Sequence, residues 1–231
     1  MNTPNERNSQ ERRLTTTSFA VLSVLSLRPH STYDITRQMR RSMHYMWPRA
    51  ESNVYAEPRR LVEAGLATAH EEWYGQRRRT VYAITEAGRA AMAAWLAAPS
   101  SRQRYECEQL VKVLFAENGT REDMLASIRA LGDDAMDVMR HFLRIAEQYA
   151  ANEGEYPWRF ALSGLAARLL MEQQAATLRW AKWAETVVAT WATPLAEEAA
   201  WGVEAVRATG EAFPLGEDPV RDVVGRPIDD D

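Results

Sequence analysis

Apolar positions fall at helical spacing over most of this 231-residue chain. From Thr16 to Leu27, Phe19, Val21, Leu22, Val24 and Leu25 are dense enough to predict a buried first helix, broken at Arg28-Pro29. Ser31 or Thr32 then offers an N-cap to a second helix reaching about Met43, with Tyr33, Ile35 and Met39 on one side. Tyr55, Arg59, Leu61, Val62 and Leu66 predict a third helix, stopped at Gly65, that turns Leu61 and Val62 inward and leaves Arg59 and Arg60 wet. Beyond it the period shortens. Leu66–Trp73 and Arg79–Ile84 read as two strands joined by a tight loop at Tyr74-Gly75-Gln76, with Thr80 and Tyr82 alternating against Val81 and Ala83. Thr85 caps a fourth helix carrying Met92, Trp95 and Leu96.

Past Ala98-Pro99-Ser100-Ser101, which marks a domain boundary by composition, the pattern is helical throughout. Leu110, Val111, Leu114 and Phe115 predict a helix closed by Glu117-Asn118-Gly119. Thr120 with Asp123 resembles a capping box and opens a helix to about Leu131; Met136, Met139, Phe142 and Leu143 mark another from Asp133 to Ala150. Pro157 suits the first turn of a last long helix reaching about Trp191, some 35 residues or about 50 Å. Its apolar positions exceed what a small domain covers alone. A homodimer is expected, with Phe160, Leu165, Leu169, Trp180, Trp183, Val187 and Trp191 along the seam.

Thr193-Pro194 offers the start of a short terminal helix through Val206, while residues 1–13 and the acidic stretch 210–231 read as flexible tails. The expected fold is mostly α. A winged helix-turn-helix domain over 14–99, with three to four helices and a two-stranded wing, precedes an all-helical dimerisation domain over 102–208, itself a candidate for effector binding.

Net charge is −4, but it is unevenly spread: residues 1–100 carry 14 arginines against 9 acids, or +5, and residues 101–231 carry −9. The N-terminal part would therefore attract phosphate despite the acidic total. Cys107 is the only cysteine, which excludes an intrachain disulfide and suits a reducing compartment; a packed thiol is the simpler reading than a redox one. Without an apolar run near the ~20 residues of a membrane span, and with a polar N-terminus, the chain is expected to be cytoplasmic. His30, His44, His70 and His141 have no ligand spacing, and no serine elbow or phosphate loop occurs. Neither catalytic residue, metal nor cofactor is expected.

A ribbon directly after a surface helix, with Arg77, Arg78 and Arg79 beside its tip, suits duplex DNA: the helix fits the major groove and the basic tip reaches phosphates or the neighbouring minor groove. Three arginines alone would read as a solvated turn. The preceding helix and strand-turn-strand favour nucleic acid. Arg49, Ser52, Asn53, Tyr55, Arg59 and Thr80 complete the expected contact surface. Ser52 and Asn53 suit base edges and N-caps alike. His30 and Tyr33, at the start of the second helix, suit phosphate contact, though core packing explains Tyr33 equally well. The competing class is a helical module that holds a protein partner through the winged domain.

The run from Tyr55 to Gly88, with VYAEPRRLVEAGLA and RRRTVYAITEAGRAAMAAWL, resembles the PadR-like transcriptional regulators. Pro58 stands where that pattern usually has Leu, and Thr32 where a Gly commonly precedes Tyr33-Asp34-Ile35. Pro58 would remove a helical hydrogen bond and bias Glu57 away from α geometry, so the third helix is expected either to kink there or to start late. The resemblance implies a dimeric regulator, a repressor on a palindromic operator, that releases DNA when a small aromatic or drug-like effector binds. Trp47, Trp95, Trp180 and Trp183 are candidates to enclose such a ligand; filling hydrophobic seams is their plainer use.

Overall fold

The computed structural model describes residues 14–47, 51–151, 153, 155–191 and 202–207, and the chain divides into two compact units, residues 1–104 and 105–231. It is mostly helical, with a winged helix first and a long helix late in the chain. The first unit opens with α1 (Thr16–Leu25), started by a reciprocal capping box between Thr15 and Ser18. The two-residue strand β1 (His30–Ser31) follows, and the Ser31 hydroxyl accepts the Asp34 N–H to begin α2 (Thr32–Ser42). Next comes α3 (Glu51–Glu63), whose Val54, Glu57, Pro58 and Leu61 form an i, i+3, i+4, i+7 stripe turned into the core. The helix begins seven residues before Pro58 and continues through it, which corrects the expectation of a late start. Burial of the proline ring offsets the lost N–H bond.

Gly65, at φ 72°, turns the chain out of α3. Strands β2 (Ala67–Tyr74) and β3 (Arg77–Ile84) then form an antiparallel ribbon, with β1 on its other edge in the order β1-β3-β2. The ribbon turns on Gly75-Gln76, with Gly75 at φ 61°, as tight hairpin turns require. Thr85 caps α4 (Glu86–Ala97) by accepting the Gly88 N–H. Val21, Leu22, Ile35 and Leu61 are fully buried at the centre of this unit.

In the second unit, α5 (Glu108–Leu114) and a 3-10 turn at Ala116–Asn118 lead into α6 (Arg121–Ala150). Two separate helices were expected over that last span; one continuous helix is found. Gly132 explains the difference, because it marks a close approach and no break: a Cβ there would stand 3.2 Å from that of Ala181. A second 3-10 turn at Pro157–Arg159 leads into α7 (Phe160–Val188), 29 residues and about 44 Å long. Met124, Leu125 and Ile128 near the start of α6 meet Ala181, Ala184 and Val188 near the end of α7, so the pair is antiparallel. At its other end Tyr149 and Phe160 stack at 4.1 Å. Residues 202–207 are helical.

Candidate nucleic-acid interface

The stripe that buries α3 leaves the opposite face outward. Tyr55 is 48% exposed there, and Arg59, its side chain 82% exposed, pairs with Glu63 on the next turn at 3.1 Å, an exposed pair of small worth. Tyr33 projects from the start of α2 at 64% exposure, which sets aside its core-packing reading. His30 behaves oppositely: it is buried opposite Tyr82 in the sheet, so it is not a surface contact. Ser52 and Asn53 lie in the first turn of α3, but their side chains, like Arg49, fall outside the described residues.

The three arginines belong to β3 from its first residue, so the strand starts two residues before the expected Arg79, and Tyr74, expected in the loop, ends β2. Register pairs Tyr74 with Arg77, Trp73 with Arg78, Glu72 with Arg79 and Glu71 with Thr80. Because β1 pairs with Val81 and Tyr82, this outer half of the ribbon has no third strand among the described residues. Strand periodicity separates Arg78 and Thr80 on one face from Arg77 and Arg79 on the other. Thr80 is exposed.

Each arginine has different surroundings. Arg79 donates to Glu72 through Nε at 2.7 Å and Nη2 at 2.5 Å, reaches Asp34 at 3.5 Å, and lies over the Tyr74 ring at 4.7 Å. Arg78 makes a 2.9 Å pair with Glu71 and lies over Trp73 at 5.7 Å, yet 64% of its side chain is exposed. Arg77, beside the turn, makes no ion pair among the described residues and is exposed. Trp73 and Tyr74, at 68% and 70% exposure, complete a wet aromatic and cationic tip.

Asp34 anchors that network. Burial raises its carboxyl pKa, but hydrogen bonds from the Ser31 hydroxyl and N–H, with the Arg37 and Arg79 charges, outweigh burial and lower it on balance. A second acid escaped the sequence reading. Glu57 is buried inside α3, where its Oε1 accepts the Ser18 hydroxyl of α1 at 2.5 Å and its Oε2 meets Arg60 at 3.0 Å. Its place on the Val54-Pro58-Leu61 stripe was the available signal.

The tryptophans separate by unit. Trp47 donates to Thr17 at 3.3 Å and Trp95 stacks on Phe19 at 4.8 Å, so both brace α1. In the second unit Trp180 and Trp191 pack against the core, whereas Trp183 is 51% exposed. The expected dimer seam divides similarly. Leu165 and Leu169 are exposed, Phe160 is occupied by Tyr149, and Val187 is half-buried.

Residues 21–94 match the transcriptional regulator PadR-like family, a span running from inside α1 into α4. Over that span the winged unit is similar to the PadR-like family. The probable transcriptional regulator Rv1176c of Mycobacterium tuberculosis is 32% identical over 90 residues, which cover 37% of this chain. Those residues span 46% of that relative, just under half its length. Bacillus subtilis PadR in complex with operator DNA superposes with a TM-score of 0.66 at 17% identity, covering 76% of this chain and 99% of that one. The same protein in complex with p-coumaric acid gives 0.57, also at 17% identity, covering 75% and 96%. The Vibrio cholerae virulence activator AphA gives 0.54 at 27% identity, covering 75% and 96%. At 17% identity the Bacillus likeness speaks to fold, and it extends beyond residues 21–94 into the helical unit. No helix among the described residues is long and apolar enough to cross a membrane.

Proposed function

We propose that the chain is a homodimeric transcriptional repressor that grips duplex DNA with α3 and the ribbon and releases it when a small aromatic effector binds. One observation supports this most: the outer ribbon, in a unit with the PadR-like fold, presents two exposed arginines beside exposed aromatic rings. The proposed contacts are Tyr33, Tyr55, Arg59, Arg77, Arg78 and Thr80, with Ser52 and Asn53 in the first turn of the recognition helix, and Arg49, which lies outside the described residues.

Arg78 gives up little by exchanging Glu71 for a phosphate, because an exposed ion pair is worth about 0–1 kcal/mol. Leu162, Leu165 and Leu169, all exposed at i, i+3 and i+7 of α7, favour pairing of two copies. Two wings related by a twofold axis would match half-sites about 34 Å apart on a palindromic operator. The p-coumaric acid complex of Bacillus subtilis PadR supports an aromatic effector here, with Trp183 the most accessible of the four tryptophans proposed for it.

The test is fluorescence anisotropy on duplexes selected from genomic fragments, across a salt series. Replacing Arg77 and Arg78 with Ala should weaken binding and reduce the salt slope by about 0.9 per lost contact. Binding and slope unchanged in that double variant would refute the wing contact. Phenolic acids should quench tryptophan emission and weaken the complex; a ligand series that never alters DNA affinity would remove the effector.

A further inference from the structure

We infer that Arg79 is a positioning residue: it latches the free half of the ribbon to the start of α2 and leaves phosphate contact to Arg77 and Arg78. The inference rests on the DNA-binding reading above and adds a division of labour within the arginine run. Arg79 reaches two carboxylates on different elements, Glu72 across the ribbon and Asp34 on α2, while its guanidinium covers the Tyr74 ring. Turning to a phosphate would abandon all three contacts, whereas Arg78 would exchange only Glu71 and the Trp73 ring. Asp34 is itself fixed: its N–H donates to the Ser31 hydroxyl, and its carboxylate accepts that hydroxyl at 2.8 Å.

The latch has a mechanical reason. Residues 71–80 extend past β1, so among the described residues no backbone ladder outside the hairpin sets their angle. The fork from Arg79 to Asp34 does so. A planar guanidinium spans two acceptors and stacks on a ring at once; the compact ammonium of lysine cannot.

Lysine therefore separates the two roles. Lysine is a competent phosphate ligand, so R77K and R78K should bind DNA nearly as wild type, while R77A and R78A each flatten the salt slope by about 0.9. R79K and R79A should lose affinity to the same extent, about tenfold, with the wild-type slope retained. D34N should add nothing further in the R79K background. Wild-type affinity in R79K, or a slope in R79A as flat as in R78A, would overturn the inference.

Measurements are made well below each variant's melting temperature, so general destabilisation does not mimic the effect. Hydrogen exchange of amides 71–80 without DNA tests the latch independently: R79K and D34N should each exchange faster than wild type, and unchanged exchange overturns it. A wild-type protein that ignores every duplex would sink the DNA reading, and the exchange result would still decide the latch.

Discussion

Gly88 lies in the first turn of α4, where an added Cβ would stand 2.2 Å from the Leu66 carbonyl oxygen and 2.8 Å from Ile84 Cγ1. Ordinary contact begins near 3.4 Å, so Gly88→Ala must open this junction by roughly 1 Å. The neighbouring backbone has little freedom to yield. The Leu66 carbonyl accepts the Thr85 N–H at 3.0 Å, the Leu66 N–H donates to Leu61 at 2.9 Å, and the Thr85 hydroxyl holds the Gly65 carbonyl at 2.8 Å. Relief must therefore move α4 away from the end of α3. Overpacking against side chains costs about 1–3 kcal/mol, and a clash with main chain belongs at the upper end. Alanine's better helix propensity returns at most about 1 kcal/mol. The net loss, about 2 kcal/mol, should lower the melting temperature of the winged unit by about 10 °C. Differential scanning calorimetry of the full chain reads this, with Gly164→Ala as a comparison, because a Cβ at Gly164 meets nothing within 4 Å. A Gly88→Ala protein melting within about 2 °C of wild type would refute the close-approach argument.

Three further outcomes follow from contacts described above. Ser18→Ala leaves the buried Glu57 carboxylate short of a donor and should cost about 1–3 kcal/mol in chemical denaturation; Glu57→Leu in the same background should recover part of it, and a neutral Ser18→Ala would contradict the burial. Because the folded Asp34 pKa is lowered, its contribution to stability is complete above the unfolded carboxylate value near 3.9 and is lost as pH falls through the folded value below that. Thermal melts between pH 7 and pH 2 should consequently show a shallower acid limb in Asp34→Asn, and parallel limbs would count against the lowered pKa. Leu165→Glu with Leu169→Glu should shift sedimentation toward a single chain, since both side chains are exposed and a fold of the isolated chain tolerates the charges; unchanged dimer mass would locate the seam elsewhere.

The winged order of elements was readable because each boundary had local chemistry: the Ser31 and Thr85 caps, the Gly65 stop, the alternation around Val81. What was missed depended on tertiary contact. His30-Ser31 is too short to show a period, and becomes a strand only because β3 offers it an edge. Gly132-Asp133-Asp134 has the composition of a break, yet α6 runs through it because Ala181 needs the space a side chain would fill. Arg77 and Arg78 fell outside the expected strand because charge hid their register with Tyr74 and Trp73. Glu57 carried no warning in its residue type, and only its place on an apolar stripe tied it to Ser18.

The register of the ribbon also bears on which changes of length this protein tolerates. A strand moved by one residue presents every side chain to the opposite side. Inserting or deleting a single residue between Gly75 and Arg77 would keep all three arginines, yet where the outer ribbon takes up the change it would set Arg78 or Thr80 opposite Glu72 in place of Arg79 and turn Arg79 to the opposite side. Loss of function from such an indel, with charge and composition conserved, is therefore expected to exceed that from conservative exchanges at Arg77 or Arg78. In this hairpin, spacing is constrained more tightly than content.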